Sequence, residues 1–273
     1  VSDNINLRGA VATGFRAPSL HQIYFNNTST QFIGAVAVQV GTFANDSQAA
    51  QLLGIPKLKQ EESQSASLGF TAKIPAAKLT ITADAYTIDI KDRVVLTDQF
   101  ARPATAGTLQ SIFDQAGATS AQFFGNSIDT RSKGLDIVIS HKISLNEATT
   151  LKTDLAGTFS ETKKIGDIHA SKLLVDNGQV NRYYSEINRV YLEEAVPRVK
   201  FNLTNSLSYK KFDFFLRNVY FGKVTDGETV DANSDGKIDA IVVNNQAIEN
   251  EHLILSAKVI TDLSVGYNFT NKI

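Results

Sequence analysis

Apolar and polar residues alternate along this chain over stretches longer than an ordinary strand. Between 198 and 210, Val199, Phe201, Leu203, Leu207 and Tyr209 share one parity, and Lys200, Asn202, Thr204, Ser206, Ser208 and Lys210 share the other. Successive side chains of a strand point to opposite faces, so such a segment has one apolar and one polar face. About a dozen residues is roughly twice a mean soluble strand. The same period runs through 259–269, where Val259, Leu263, Val265, Tyr267 and Phe269 oppose Asp262, Ser264, Gly266 and Asn268. It recurs with Leu135, Ile137 and Ile139 against Asp136 and Ser140, and with Leu151, Leu155 and Phe159 against Lys152, Asp154 and Thr158. Leu68, Phe70 and Ile74 oppose Ser67, Thr71 and Lys73, and Phe212, Phe214, Leu216 and Tyr220 oppose Asp213 and Arg217. In 78–91 the phase slips between Ala85 and Tyr86, which predicts a bulge there. The pattern predicts eight strands, at 5–14, 63–74, 78–95, 131–143, 149–161, 197–210, 212–223 and 254–269. No long stretch has a 3.6-residue period; short helical turns are expected at 47–53 and 111–115, both in connections.

The connections alternate in length. Those near 75–77, 144–148 and 210–211 are tight, whereas those at 15–62, 96–130, 162–196 and 224–253 are long. Loops beyond about 12–15 residues are uncommon in compact domains and usually functional. Long connections at one end of the strands and tight turns at the other are the arrangement of an outer-membrane barrel. A soluble β-sandwich would explain the alternation, but neither the strand length nor the asymmetry. The fold class expected is therefore all-β: an antiparallel up-and-down transmembrane β-barrel segment of about eight strands, with long external loops and short periplasmic turns. Tyr209, Phe212, Tyr267 and Phe269 lie near the tight-turn ends, where an aromatic girdle belongs. The alternative kept open is a soluble or surface β-rich binding module with a calcium-stiffened loop.

Composition removes several other classes. Lys and Arg number 27 against 28 Asp and Glu, so nothing in the net charge favours nucleic-acid binding. There is no Cys, which excludes disulfides and Cys-ligated zinc. His21, His141, His169 and His252 are scattered and form no H-x-x-x-H pair. No apolar run approaches the 18 residues of a membrane helix. Met is absent, position 1 included, as expected of a piece of a longer chain. No G-x-S-x-G elbow, metal-binding His pair or phosphate loop is present, and no enzymatic activity is expected. Glu61-Glu62 and Glu193-Glu194 are adjacent pairs that would point to opposite faces of strands, so neither is expected to be a carboxylate dyad.

Five motifs occur in order. Gly14-Phe15-Arg16-Ala17-Pro18-Ser19 closes the first strand, and 58–69 reads L-K-Q-E-E-S-Q-S-A-S-L-G. Residues 126–135 read N-S-I-D-T-R-S-K-G-L, followed by Asp136; Ala195, Pro197 and Arg198 give A-x-P-R; and 261–270 reads T-D-L-S-V-G-Y-N-F-T. Together they resemble the barrel of TonB-dependent outer-membrane receptors. Gln60 stands where the family usually has Pro, and Ser67 where it has a second Glu. The resemblance spans nearly the whole chain and makes 1–273 a partial receptor barrel domain, similar to about the thirteenth to twentieth of 22 strands. It implies that the plug domain and the last two strands are absent from this sequence. It further implies location in the outer membrane of a Gram-negative bacterium, contact with outer-membrane lipid, and energy-coupled uptake of a large scarce nutrient. Ferric siderophore, haem, cobalamin and oligosaccharide are the substrate classes. A TonB complex would act through the plug of the same chain. The motif residues carried over, Arg16, Pro18, Glu61, Arg131, Lys133, Gly134 and Asp262, are expected to be structural, with Arg16 and Arg131 tying loop bases or plug contacts. The polar face lining the lumen is expected to carry Arg8, Asp136, Lys152, Asp154, Lys200, Asn202, Arg217 and Asp262; the substrate-binding residues are not specified.

The last long connection holds the most specific local chemistry. Asp231, Asn233, Asp235, Gly236, Lys237 and Asp239 match the front of an EF-hand-type calcium loop. Side-chain oxygens would come from Asp231, Asn233 and Asp235, a carbonyl from Lys237 and a further ligand from Asp239. Val242 occupies the position of the bidentate Glu, so Asp226 or Glu228 would have to complete the shell of a candidate structural Ca²⁺.

Overall fold

The computed structural model describes residues 3–33, 36–103, 106–116, 118–229, 241–243, 246–248 and 252–269. Eight long strands form one antiparallel sheet: β1 (Ile5–Arg16), β2 (Glu61–Ile74), β3 (Leu79–Leu96), β4 (Phe124–Asn146), β5 (Thr149–Ile165), β6 (Val199–Tyr209), β7 (Phe212–Phe221) and β8 (Lys258–Tyr267). Their order in the sheet is their order in the chain. Among the described residues the sheet does not close, since β1 pairs only with β2 and β8 only with β7.

Two of the three tight turns use left-handed backbone. A 3₁₀ turn at Pro75–Ala77 ends on Lys78 at φ 51°, and Lys210 at φ 52° carries the two-residue link from β6 to β7. Between β4 and β5 the Asn146 side chain accepts the Ala148 N–H at 2.9 Å.

Two details depart from the sequence pattern. β4 begins at Phe124, seven residues before the predicted start at 131. Gly125, Ser127, Ile128 and Thr130 are buried, so this stretch is covered on both sides and loses its alternation. The bulge is not at Ala85 and Tyr86, where pairing with β2 and β4 runs unbroken. It lies between Ile90 and Val94, with Asp92 at φ 55°. Tyr86 stays on the polar face because Gly134 opposite it has no side chain: a Cβ there would lie 2.5 Å from the ring. Its ring fills that gap, so the aromatic breaks the pattern without breaking the register.

The apolar face carries an ordered belt. The cross-strand row Leu68, Ala85, Leu135, Phe159, Val199 is apolar throughout. One row nearer the long connections come Ala66, Thr87, Lys133 and Glu161, then Gln64, Asp89, Arg131 and Lys163. The outward residues of β3 stay apolar from Leu79 to Ala85, six residues or about 15 Å of depth at ~3.3 Å per residue and a tilt near 40°, and the charged rows lie above them. Phe159, Phe201 and Tyr220 form a chain of ring contacts at 5.3 and 6.2 Å on the upper margin. Phe212, Tyr267 and Phe269 do so at 4.8 Å on the lower one. Two registered pairs of polar residues lie inside the belt: Thr153 donates to Asn205 at 2.8 Å and Thr261 to Asn218 at 2.7 Å. Each satisfies the other where lipid cannot.

No second sheet covers this belt among the described residues, as a soluble sandwich would require. The large buried core lies instead in the connections. Helices α1 (Leu20–Tyr24), α2 (Gln48–Leu52), α3 (Thr108–Ala116), α4 (Lys172–Asp176) and α5 (Glu186–Glu193) belong to them. So does a small sheet of 27–33, 36–42, 100–101 and 120–122. Leu53, Phe100, Phe113, Phe123, Leu174 and Tyr183 are buried together. Three long connections thereby fold as one packed unit.

Candidate functional site

The register places Arg8, Asp136, Lys152, Asp154, Lys200, Asn202, Arg217 and Asp262 on one face of the sheet. They form a hydrogen-bonded wall. Arg8 pairs with Asp84 through two nitrogens and donates to Thr71 at 2.9 Å. Gly69 lies between Arg8 and Asp84 in the pairing, and any Cβ there would collide with the Asp84 carboxylate. Thr158 donates to Asp136 at 2.8 Å, and Asp154 takes Ser140 and Lys152, both at 2.7 Å. Arg217 reaches Asp262 with Nε at 2.8 Å and Nη2 at 2.6 Å.

The motif residues gather at the strand ends below the connections. Arg16, last residue of β1, meets Glu61, first residue of β2, with Nε at 2.9 Å and Nη2 at 2.5 Å. Glu61 is buried and also accepts the Val94 N–H of β3 at 2.7 Å. One carboxylate thus ties three strands and the feet of two long connections. Pro18 precedes Ser19, whose hydroxyl caps α1 in a reciprocal capping box with Gln22. Arg131 pairs with Asp89 at 2.7 and 2.6 Å, and Lys133 with Glu161 at 2.8 Å. Both share the parity of Leu135, so they lie on the outward face, and a plug contact is out of reach for Arg131. Gly134 sits under Tyr86 on the polar face. Glu61 and Glu62 do diverge, one buried and one exposed. Glu193 and Glu194 are not in a strand: they end α5, and both approach Arg189, at 3.8 and 2.7 Å.

One grouping escaped the sequence pattern. At the β3 bulge, Asp92, Asp129 and His169 bring donor atoms within 4.8 Å of one another. The ring Nδ1 lies 3.3 Å from both the Asp92 carboxylate and the Asn126 carbonyl, and Lys59 holds the other Asp92 oxygen at 2.8 Å. The three residues offer an O,O,N set of the type divalent metals use, with Lys59 already neutralising part of its charge. The signal is three-dimensional: the donors are 37 and 40 residues apart in the chain. The candidate calcium residues Asp231, Asn233, Asp235, Lys237 and Asp239 lie outside the described residues.

Comparison with known proteins decides the family. The model of the TonB-dependent receptor-like β-barrel matches residues 1–273. The chain belongs to the TonB-dependent receptor β-barrel family. Such receptors are Gram-negative outer-membrane proteins, so the apolar belt faces lipid and the polar wall faces the lumen. The chain is similar to the ferric enterobactin receptor of Pseudomonas aeruginosa, with 15% identity and a TM-score of 0.56 over 99% of this chain and 32% of that one. It is similar to the copper transporter OprC, with 13% identity and a TM-score of 0.52 over 99% of this chain and 30% of the other. It is similar to the ferripyoverdine receptor of the P. aeruginosa outer membrane, with 12% identity and a TM-score of 0.51 over all of this chain and 26% of the other. The chain thus spans between a quarter and a third of these relatives' length. A search of curated proteins finds no match.

Proposed function

We propose that this chain forms part of the wall and external mouth of a receptor that takes up a large scarce nutrient, with a ferric siderophore as the first candidate. The observation that carries the reading is the packed unit of three connections at the mouth of a polar, ion-paired wall. A large polar cargo needs a preorganised external surface, because ordering loose loops on binding costs affinity. Most of the charged groups of the wall below are already paired with one another, as Arg8 with Asp84, Lys152 with Asp154 and Arg217 with Asp262 are, so a plug can slide against them without stranding those charges. Two of the similar proteins are receptors for ferric chelates, ferric enterobactin and ferripyoverdine, which supports the substrate class. Family membership supports coupling to TonB through a plug.

The test is uptake in a strain lacking the gene that carries this chain, with and without a functional TonB. Radioiron-labelled siderophores, haem, cobalamin and oligosaccharides are supplied in turn at limiting concentration. The expected result is loss of uptake for one ferric chelate, equally in the gene deletion and the TonB deletion. Unchanged uptake of all four classes overturns the proposal.

A further inference from the structure

The bulge of β3 brings donors from three elements together at the foot of the connections. Asp92 stands at φ 55° in the bulge, and its N–H donates to the Asp129 carboxylate of β4 at 2.8 Å. His169, in the connection after β5, is placed by its own N–H, which donates to the Ser127 carbonyl at 2.8 Å. Its Nδ1 then lies 3.3 Å from Asp92 Oδ1, and its Nε2 3.8 Å from Asp129 Oδ1. Neither is a close hydrogen bond, for which N–H···O is about 2.9–3.0 Å. Nδ1 faces two oxygens at 3.3 Å, from Asp92 and the Asn126 carbonyl, and has at most one hydrogen to give. The two carboxylates are only 24% and 25% exposed, so water solvates them in part. Lys59 takes Asp92 Oδ2 at 2.8 Å and leaves Oδ1 to the ring.

We propose that Asp92, Asp129 and His169 bind one divalent ion of the zinc class. Ligands of a tetrahedral zinc at ~2.0–2.1 Å stand about 3.3–3.4 Å from one another. Asp92 Oδ1 and His169 Nδ1 have that spacing already. The three donor atoms lie within 4.8 Å of one another, so rotation of the Asp129 carboxylate closes the set, and water takes the fourth position. The two carboxylates outweigh the Lys59 ammonium, so a cation enters a site of net negative charge. Calcium and magnesium are hard ions held by oxygen, whereas an imidazole beside carboxylates suits zinc and its first-row neighbours. The ion is structural. It fastens the connection at 162–196, whose Leu174 and Tyr183 lie in the loop core, to the ends of β3 and β4. The inference concerns how the mouth is held and does not rest on what the receptor transports.

The test titrates Zn²⁺ alone into the metal-stripped full-length protein in detergent, read by calorimetry and by hydrogen exchange at the His169 amide. The wild type is expected to bind Zn²⁺ at this site and to slow exchange of that amide. Loss of an outer-shell partner alone weakens metal sites about ten- to hundredfold, so His169→Gln and Asp129→Asn should each cost at least about a hundredfold. Lys59→Gln removes the cation that competes for Asp92 and should tighten binding severalfold, which a purely structural lysine would not do. Co²⁺ should give the visible bands of a tetrahedral site in the wild type and lose them in His169→Gln. Asp231→Asn with Asp235→Asn should leave Zn²⁺ binding unchanged, which separates this site from the loop at 231–239. Gel mobility before and after heating reports that each variant is folded. Equal Zn²⁺ affinity in the wild type and folded His169→Gln overturns the proposal. So does Ca²⁺ binding at these residues more tightly than Zn²⁺, and so does weaker binding by Lys59→Gln, a result that decides even where a ligand variant fails to fold.

Discussion

Replacing Glu61 by Ala should loosen the mouth of the receptor without unfolding the sheet. Glu61 is 6% exposed and accepts three hydrogen bonds, two from Arg16 and one from the Val94 N–H. The Arg16 side chain is 59% exposed, so water takes over most of what it loses, and that part costs about 1 kcal/mol. Val94 is buried, and its stranded N–H costs ~1–3 kcal/mol. The sum is about 2–4 kcal/mol, a roughly thirty- to thousandfold rise in local opening. Glu61→Gln keeps an acceptor for Val94 and should cost only about 1 kcal/mol, as should Arg16→Gln. Hydrogen exchange at the Val94 amide in the full-length protein separates the cases. The expected order is Glu61→Ala far above Glu61→Gln and Arg16→Gln, with Arg16→Gln adding little to Glu61→Ala. If Arg16→Gln opened Val94 as much as Glu61→Ala does, the buried carboxylate would not be the tie, and the reasoning would fail.

The lipid-face pair Thr153–Asn205 gives a second prediction: Thr153→Val alone should destabilise the barrel by ~1–3 kcal/mol, and adding Asn205→Leu should recover most of it, read as urea midpoints in lipid vesicles. Phe113→Ala should cost the loop unit about 3–5 kcal/mol, making its connections sensitive to limited proteolysis while the heat-modifiable barrel band stays unchanged. Hydrogen bonds from Arg189 and then Thr225 hold the Glu194 carboxyl below its ordinary range. A group with a depressed folded value stabilises fully above the ordinary carboxylate range of about 4.3 and loses that as pH falls through the lowered value. The contact between α5 and the strand at 224–229 should therefore loosen only below about pH 4, and Glu194→Gln should flatten the profile in hydrogen exchange. The proposal that 231–239 binds calcium is checked by calorimetry on the full-length protein: heat at up to millimolar Ca²⁺ is expected, abolished by Asp231→Asn with Asp235→Asn, and its absence in the wild type refutes the site.

All eight strands were legible in the sequence because their two faces meet different media over ten or more residues. Legibility failed wherever that asymmetry did. The first part of β4 rises beyond the belt and is covered on both sides, so Gly125, Ser127 and Ile128 carry no period. Two helices of the connections, α2 and α3, lie where helical turns are expected at 47–53 and 111–115, whereas α1, α4 and α5 are five to eight residues long, too short for a 3.6 period to stand out. Their start signals were nevertheless present: Ser19, Ser47, Ser171 and Ser185 each cap a helix, and Ser19 with Gln22 reads as a capping box. The pairing of Arg16 with Glu61 follows from two motifs at facing strand ends. Asp84, Asp89 and Glu161 carried no such mark, since their partners are fixed only by register across the sheet.

Register also explains the residues that seemed to spoil the alternation. Asn205 and Asn218 sit at apolar parity, where a single strand viewed alone shows only a defect. Across the ladder each faces a threonine, and the two side chains consume each other's polarity. Above the belt the same parity changes chemistry: Lys133 meets Glu161 and Arg131 meets Asp89, paired as charges because water is available and need not be excluded. A face that holds neutral hydrogen-bonded pairs at one depth and ion pairs at another records the solvent on its other side. The boundary falls between Leu135 and Lys133 on β4 and between Phe159 and Glu161 on β5, in adjacent cross-strand rows. That step fixes how deep the sheet sits.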